Sequence, residues 1–292
     1  MAEGRPTRDR IGAIAGIEII HQLAPRFQLS ALPVEWPNDP PSDAPIVIAH
    51  AVGDVSVEGM RRVMDIGPRV SYYAGSSFET AIRISNLERH GPVHIVRALE
   101  PGFAYTAHYE FCPPTAAYRR DIEICAFADA LTVRGTRLMA HGCGAILANG
   151  RGALCLGKSG AGKSTTFRML DGRSGARVLN DDRLVIERRG DGFQLWSTPW
   201  PGNAGIARSG DAPLGVIALI GRGERYVVRV LSPREALSRV LPTLALPIWN
   251  PHLMAARLDF VGSLVEHVPI VEMNYPLDER TPSWIAARLT EA

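Results

Sequence analysis

Three features of the sequence predict an α/β fold in two parts. Residues 157 to 164, Gly157-Lys158-Ser159-Gly160-Ala161-Gly162-Lys163-Ser164, match the pattern G-x-x-x-x-G-K-[ST] between a strand-like and a helix-like run. Just upstream, Gly144–Ala148 and Ala153–Leu156 flank the tight-turn sequence Asn149-Gly150-Arg151-Gly152, which reads as an antiparallel hairpin feeding the loop. From Val70 to Phe111, short alternating runs broken at His90-Gly91-Pro92 and Glu100-Pro101-Gly102 read as successive antiparallel strands. Cys112-Pro113-Pro114 ends that pattern. The expected organisation is therefore a β-rich (α+β) N-terminal domain over residues 1–113 and a phosphate-loop domain over 114–292.

In chain order, the proline-crowded stretch from Leu32-Pro33 to Pro45, which holds Trp36, is expected to be a loop. Thr115 can cap a helix running to about Arg134, with Tyr118, Ile122, Cys125 and Leu131 roughly on one face. After the phosphate loop, Ser164 to Leu170 has the composition of a short helix, and Ala176 to Asn180 reads as a strand returning alongside the loop strand. Arg183–Glu187 pairs with Phe193–Ser197 across Arg189-Gly190-Asp191-Gly192, and a second hairpin is expected between Val216–Ile220 and Tyr226–Val230. Ser232-Pro233-Arg234-Glu235 is a capping box with proline at the first helical position; Asn250-Pro251 and Thr281-Pro282 start two further helices.

Composition bounds the function classes. The chain has 292 residues, 46% hydrophobic and 21% charged, as expected of a globular protein with a substantial core. Lys plus Arg is 32 against 30 acidic residues, and this near balance gives no reason to expect a nucleic-acid or membrane partner. Ile11 to Ile20 contains Glu18 and makes a poor signal peptide, and no apolar run approaches the ~20 residues of a membrane span. Cys112, Cys125, Cys143 and Cys155 lack metal-site or redox spacing and read as free thiols of a cytoplasmic protein.

The chemistry concentrates around residues 141 to 182. Glycines in the loop let backbone N–H groups surround an anion, Lys163 can reach the β- and γ-phosphates of a nucleoside triphosphate, and Ser164 offers a hydroxyl to Mg²⁺. The helix N-terminus adds a positive dipole end. Pairing through the Asn149–Gly152 turn sets His141 opposite Gly160, beside the loop. Asn180-Asp181-Asp182 ends the following strand, so two carboxylates emerge at the same end as the loop. One can hold the metal while the other accepts a proton from an attacking hydroxyl, with a nearby imidazole to orient it.

His141-Gly142, the hairpin, Gly157 to Ser164, and Val178-Leu179-Asn180-Asp181-Asp182 together resemble the catalytic domain of HPr kinase/phosphorylase. The resemblance covers roughly residues 135 to 235 and implies a fold similar to phosphoenolpyruvate carboxykinase rather than to common P-loop kinases. It implies His141 and Asp181 as the catalytic pair with Lys163, and Asp182 with Ser164 as metal ligands. The nucleotide would lie on Gly157, Lys158, Ser159, Gly160, Ala161, Gly162, Lys163, Ser164 and Thr165. It further implies ATP and Mg²⁺ as cofactors and favours a homo-oligomer.

The family's Glu-Ile-Arg-Gly-Leu-Gly-Ile-like signature has no counterpart here, and Ser197-Thr198-Pro199-Trp200-Pro201-Gly202 stands instead. That segment is similar to a divergent group, some of whose members phosphorylate a serine of ribosomal precursor peptides, including those of lasso peptides. HPr is thus not the expected substrate; a serine-bearing peptide or small protein is. Trp200 reads either as an interdomain packing residue or as one facing that substrate. A small-molecule kinase and a nucleotide-gated binding module are the alternative functions.

Overall fold

Ala15 and Gly16 both take positive φ, 49° and 80°, and turn the chain between β1 (Thr7–Ile14) and β2 (Ile17–Leu23), with Ile14 opposite Ile17. Two left-handed residues match the twist of a two-residue hairpin. The computed structural model describes residues 7–23, 29, 34–53, 57–66, 70–75, 80–85, 93–97, 104–109, 116–157, 162–172, 175–248 and 250–292. They fall into two units, Met1–Leu32 with Pro37–Ala130 and Pro247–Pro251, and Pro33–Trp36 with Leu131–Leu246 and His252–Ala292. The division falls inside a helix, Ala116–Arg134, rather than before it.

The first unit continues with β3 (Ile46–Val52), β4 (Arg61–Ile66), β5 (Val70–Ala74), β6 (Thr80–Ile84), β7 (Val93–Arg97), β8 (Ala104–Tyr109) and then α1 (Ala116–Arg134). One sheet holds all eight strands in the order β1-β2-β3-β8-β7-β6-β5-β4. The antiparallel run expected from Val70 onward is present as β5 to β8. The parallel pairs β2–β3 and β3–β8 join it to the N-terminal hairpin. Ile17, Ile19, Ile46, Ile48, Ile84 and Ile95 are fully buried, as are Ile122 and Leu131 on α1. Each such side chain contributes ~1.5–3 kcal/mol by leaving water. Thr115, the expected cap of α1, and the side chain of Tyr118 lie outside the described residues.

The second unit contains β9 (Arg137–His141), β10 (Cys143–Ile146), β11 (Gly152–Leu156), α2 (Lys163–Leu170), β12 (Arg177–Asn180), β13 (Arg183–Arg189) and β14 (Gly192–Ser197). After these come β15 (Asp211–Arg222), β16 (Val227–Val230), α3 (Pro233–Val240), α4 (Pro251–His267), β17 (Ile270–Tyr275) and α5 (Thr281–Glu291). The strand order is β12-β10-β11-β15-β14-β13-β9, with β17 on β15 and β16 on β17. The long β15 pairs with β14 through its first residues, and with β11 and β17 through the rest.

Alternation along the strands sorts the core into two faces. Ala153, Cys155, Val216, Ala218 and Ile220 pack with Phe167 and Leu170 of α2 and Ile285 and Leu289 of α5. Leu154, Leu156, Ile217 and Leu219 pack with Val240 of α3 and Phe260, Val261 and Leu264 of α4. The capping box at Ser232 and Glu235 starts α3 as its sequence requires.

Three sequence expectations change. The hairpin β10–β11 is antiparallel, but Cys143 faces Cys155, because Leu147 pairs with Arg151 around a short turn whose Gly150 has φ 80°. His141 leaves this hairpin and closes β9 opposite Arg183. Strand β12 pairs with β10 rather than with the loop strand β11. Because both pairings are antiparallel, β12 still runs in the direction of β11, and its end emerges beside the loop. Val216–Ile220 and the 227–230 strand do not form a hairpin: β17 lies between them, parallel to β15 and antiparallel to β16.

Candidate functional site

The C-terminal ends of the parallel strands β11 and β15, and of β12, lie at one edge of the second sheet, where ligands of open α/β sheets bind. Gly157 follows β11, and Gly162, at φ 93°, precedes the first turn of α2, where Thr166 N–H donates to Gly162 O at 2.9 Å. Lys163 is buried, and its Nζ donates to Gly157 O at 2.7 Å, so the ammonium folds back over the loop's first residue. Thr165 is exposed on the same turn. Lys158, Ser159, Gly160, Ala161 and the side chain of Ser164 lie outside the described residues.

Asn180 sets the two carboxylates. Fully buried, its Oδ1 accepts from Asp182 N–H at 2.7 Å and Arg183 N–H at 2.9 Å, while its Nδ2 donates to Thr198 O at 2.8 Å. This turn sends the neighbouring side chains to different partners. Asp181, 4% exposed, accepts from three backbone groups: Gly202 N–H at 2.8 Å, Ala204 N–H at 2.7 Å and Ile206 N–H at 3.1 Å. A Cβ on Gly202 would sit 2.9 Å from Asp181 Oδ2, so that approach needs glycine.

Asp182 instead meets His141. Its Oδ1 lies 3.1 Å from His141 Nε2 and accepts from Arg183 NH1 at 2.9 Å, with His141 more than half exposed. Gly142 N–H donates to Asp182 O at 3.0 Å, tying the end of β9 to the same turn. A Cβ on Gly142 would come within 2.7 Å of Cys155 O, which explains the glycine after His141. Asp181, placed by the resemblance in a pair with His141, is thus held by backbone donors, and its neighbour is the imidazole's partner.

Cys143 feels the charges of these groups. Burial pushes its thiol up to about 12, and the charges of Asp181, Lys163 and Asp182 act on it in that order after burial. Its Sγ–H donates to Asp181 O at 3.2 Å. The phosphate-loop lysine and both carboxylates thus all act electrostatically on the thiol at the start of β10. Sequence reasoning gave no role to Asn180 or Gly202; an Asn before Asp-Asp at a strand end is a turn signal that marks the first. Trp200 and Thr198 are fully buried, so the indole presents no open face to a substrate.

The first unit carries a second polar cluster. Arg119 Nε donates to Glu123 Oε1 at 2.6 Å, and His21 Nε2 lies 3.0 Å from the same oxygen. His21 Nδ1 is 2.9 Å from His50 Nε2, and His50 Nδ1 is 2.5 Å from the Tyr109 hydroxyl. With Glu123 ionised, each proton points along this row toward the carboxylate: Tyr109 to His50, His50 to His21, His21 to Glu123. Burial, then the neighbouring His21 and Arg119, lowers His50 to about 3.

The second unit defines an α/β protein with a phosphate-loop motif between strand and helix and a histidine–carboxylate pair near it. No family model matches the chain, and no curated protein matches it. Among solved structures it is similar to the Hpr(Ser) kinase/phosphatase from Coxiella burnetii, at 10% identity and a TM-score of 0.31. The match covers 52% of this chain and 94% of that one. At that level the likeness bears on neither activity nor substrate.

Proposed function

We propose that the chain is an ATP- and Mg²⁺-dependent phosphotransferase that transfers the γ-phosphoryl group to a hydroxyl, the acceptor being a serine of a peptide or small protein. The observation that carries the reading is the histidine–carboxylate pair, His141 Nε2 3.1 Å from Asp182 Oδ1, in the same unit as Lys163, whose Nζ folds back onto Gly157 O at the start of the phosphate loop. Lys163 supplies positive charge where the terminal phosphates would lie, on top of the backbone N–H groups and dipole of α2. Asp182 takes the proton of the acceptor hydroxyl, and His141 and Arg183 hold that carboxylate in place. As the acceptor oxygen bonds to the γ-phosphorus, the bond from that phosphorus to the β–γ bridging oxygen breaks, and its electron pair leaves with ADP.

The donor set fits Mg²⁺, which keeps several waters and takes one or two carboxylates together with phosphate oxygens. Asp182 and Ser164 are the residues that would hold it, and when bound it neutralises charge on the phosphates. Asp181 acts through the 202–206 loop that it anchors.

For the acceptor, support comes from the first unit. Its terminal strands are β1 and β4, whereas β5 to β8 are each paired on both sides. An extended peptide can add to an edge such as β4, where Arg61 and Arg62 are exposed. The test is to incubate the full chain with Mg·ATP and a panel of serine peptides, free sugars and nucleosides, reading ADP release and phosphoserine. Peptide-dependent ADP release with phosphoserine formation is expected. Transfer to a sugar or nucleoside alone overturns the acceptor class, and failure to bind or consume ATP overturns the whole reading.

A further inference from the structure

We infer that Arg222 is a second cation of the phosphate site, contacting the terminal phosphates of the bound nucleoside triphosphate; this rests on the phosphotransferase reading above. The placement follows from strand alternation. Val216, Ala218 and Ile220 of β15 point to the face covered by Phe167 and Leu170 of α2, so Arg222, next in that row, extends toward the same helix. It stands beyond Leu219, the partner of Leu156 at the end of β11, and so beyond the edge of the sheet where the phosphate loop begins.

Its backbone position is held from the other side as well. Arg222 pairs with Tyr275 of β17, and the buried Tyr275 hydroxyl lies 3.0 Å from Thr166 Oγ1 in the first turn of α2. Two rigid elements thus bring the residue to the start of that helix. There its side chain lies over the loop glycine: Arg222 Nε is 3.6 Å from the point where a Cβ on Gly162 would be.

Arg222 is exposed and, among the described residues, no carboxylate or hydrogen-bond acceptor engages it. Other arginines of this unit contrast with it: Arg208 is tied to Asp171, Arg229 to Glu235 and Glu272, and Arg239 to Glu272. A guanidinium over Gly162, with no counter-charge among the described residues, has its donors available to phosphate oxygens in a forked geometry that lysine lacks. Lys163 reaches Gly157 at one end of the loop and Arg222 reaches Gly162 at the other, so one cation is placed at each end of the motif.

The experiment compares the full-length wild type with Arg222→Ala, Arg222→Lys and Lys163→Ala. It measures affinities for Mg·ATP and Mg·ADP by calorimetry at two ionic strengths, together with melting temperature. Arg222→Ala is expected to weaken ATP binding by about tenfold or more, with a smaller salt dependence and an unchanged melting temperature. Arg222→Lys should restore part of the affinity. Loss for ATP alone assigns the contact to the γ-phosphate, and equal loss for ADP assigns it to the β-phosphate; both support the inference. Wild-type ATP affinity in Arg222→Ala, with Lys163→Ala impaired, overturns the inference and leaves the phosphotransferase reading standing. A wild type that binds neither nucleotide overturns both.

Discussion

His141 Nε2 lies 3.1 Å from Asp182 Oδ1, while the adjacent Asp181 spends both carboxylate oxygens on backbone N–H groups of residues 202, 204 and 206. Two neighbouring carboxylates of the same chemistry are thereby given different work. Asp182→Asn should keep affinity for metal-free ATP within a few-fold and raise the Mg²⁺ requirement, while the transfer rate at saturating Mg²⁺ falls by about 10²-fold or more, since an amide accepts no proton from the acceptor. Single-turnover phosphate transfer and ATP titration separate the two quantities. A variant with normal transfer would remove Asp182 as the base.

Asp181→Asn acts on stability. The new amide presents two N–H donors where the native oxygen met Ala204 N–H, so a donor faces a donor in a buried site. The cost is ~1–3 kcal/mol. Chemical denaturation should show it, and residues 202–206 should lose amide-exchange protection first. Equal stability of wild type and variant, with transfer abolished, would return Asp181 to the chemistry.

The division between these two residues is not legible in Asn180-Asp181-Asp182 as a string, because it depends on which way the Asn180 turn throws each side chain. What is legible is local. Glycines and the Asn149–Gly152 turn announce a hairpin into the phosphate loop, and Ser232 with Glu235 announces α3. Pairings without a connecting turn leave no such trace. Strand β17 enters between β15 and β16 from 40 or more residues along the chain in the parallel direction, and the shorter 216–230 hairpin looks equally good by alternation. Strands β1 to β3 are hidden for a related reason: Ala15-Gly16 is an unusual pair for a two-residue turn, and β3 joins β2 and β8 only by parallel contacts.

Lys163→Ala should abolish transfer to within assay background, because it removes the side-chain cation and leaves the backbone of the loop in place. The variant should fold, since α2 keeps Phe167 and Leu170 in the core. Wild-type turnover by a folded Lys163→Ala protein would leave the phosphate-loop reading without a basis.

Trp200 is fully buried beside the Asn180 turn, and Asn180 Nδ2 donates to its carbonyl at 3.3 Å. Trp200→Ala should therefore cost ~3–5 kcal/mol of stability, as large aromatic deletions in cores do. Among folded molecules, the ranking of peptide substrates should stay the same. A changed ranking with unchanged stability would place the indole against the acceptor.

His50 makes the first unit acid-sensitive. Its folded pKa of about 3 lies below the ordinary 6.5, so an unfolded chain binds a proton on this ring in a range where the folded one does not. Stability from this group is complete above pH ~6.5 and is lost progressively as the pH falls toward ~3. Its neighbours in the row are His21, Tyr109 and, through His21, Glu123 with Arg119, and burial with the charges of His21 and Arg119 disfavours a proton on the ring. Denaturation curves at half-unit pH steps should show the wild-type unfolding free energy falling over that window by several kcal/mol, because each pH step of one between the unfolded and folded pKa values removes ~1.4 kcal/mol. His50→Gln keeps a polar side chain but removes the titration, and its curve should be flatter over the same range whatever its absolute stability. Parallel slopes for the two proteins would show that acid lability arises from carboxylates elsewhere and not from the His21–His50 row.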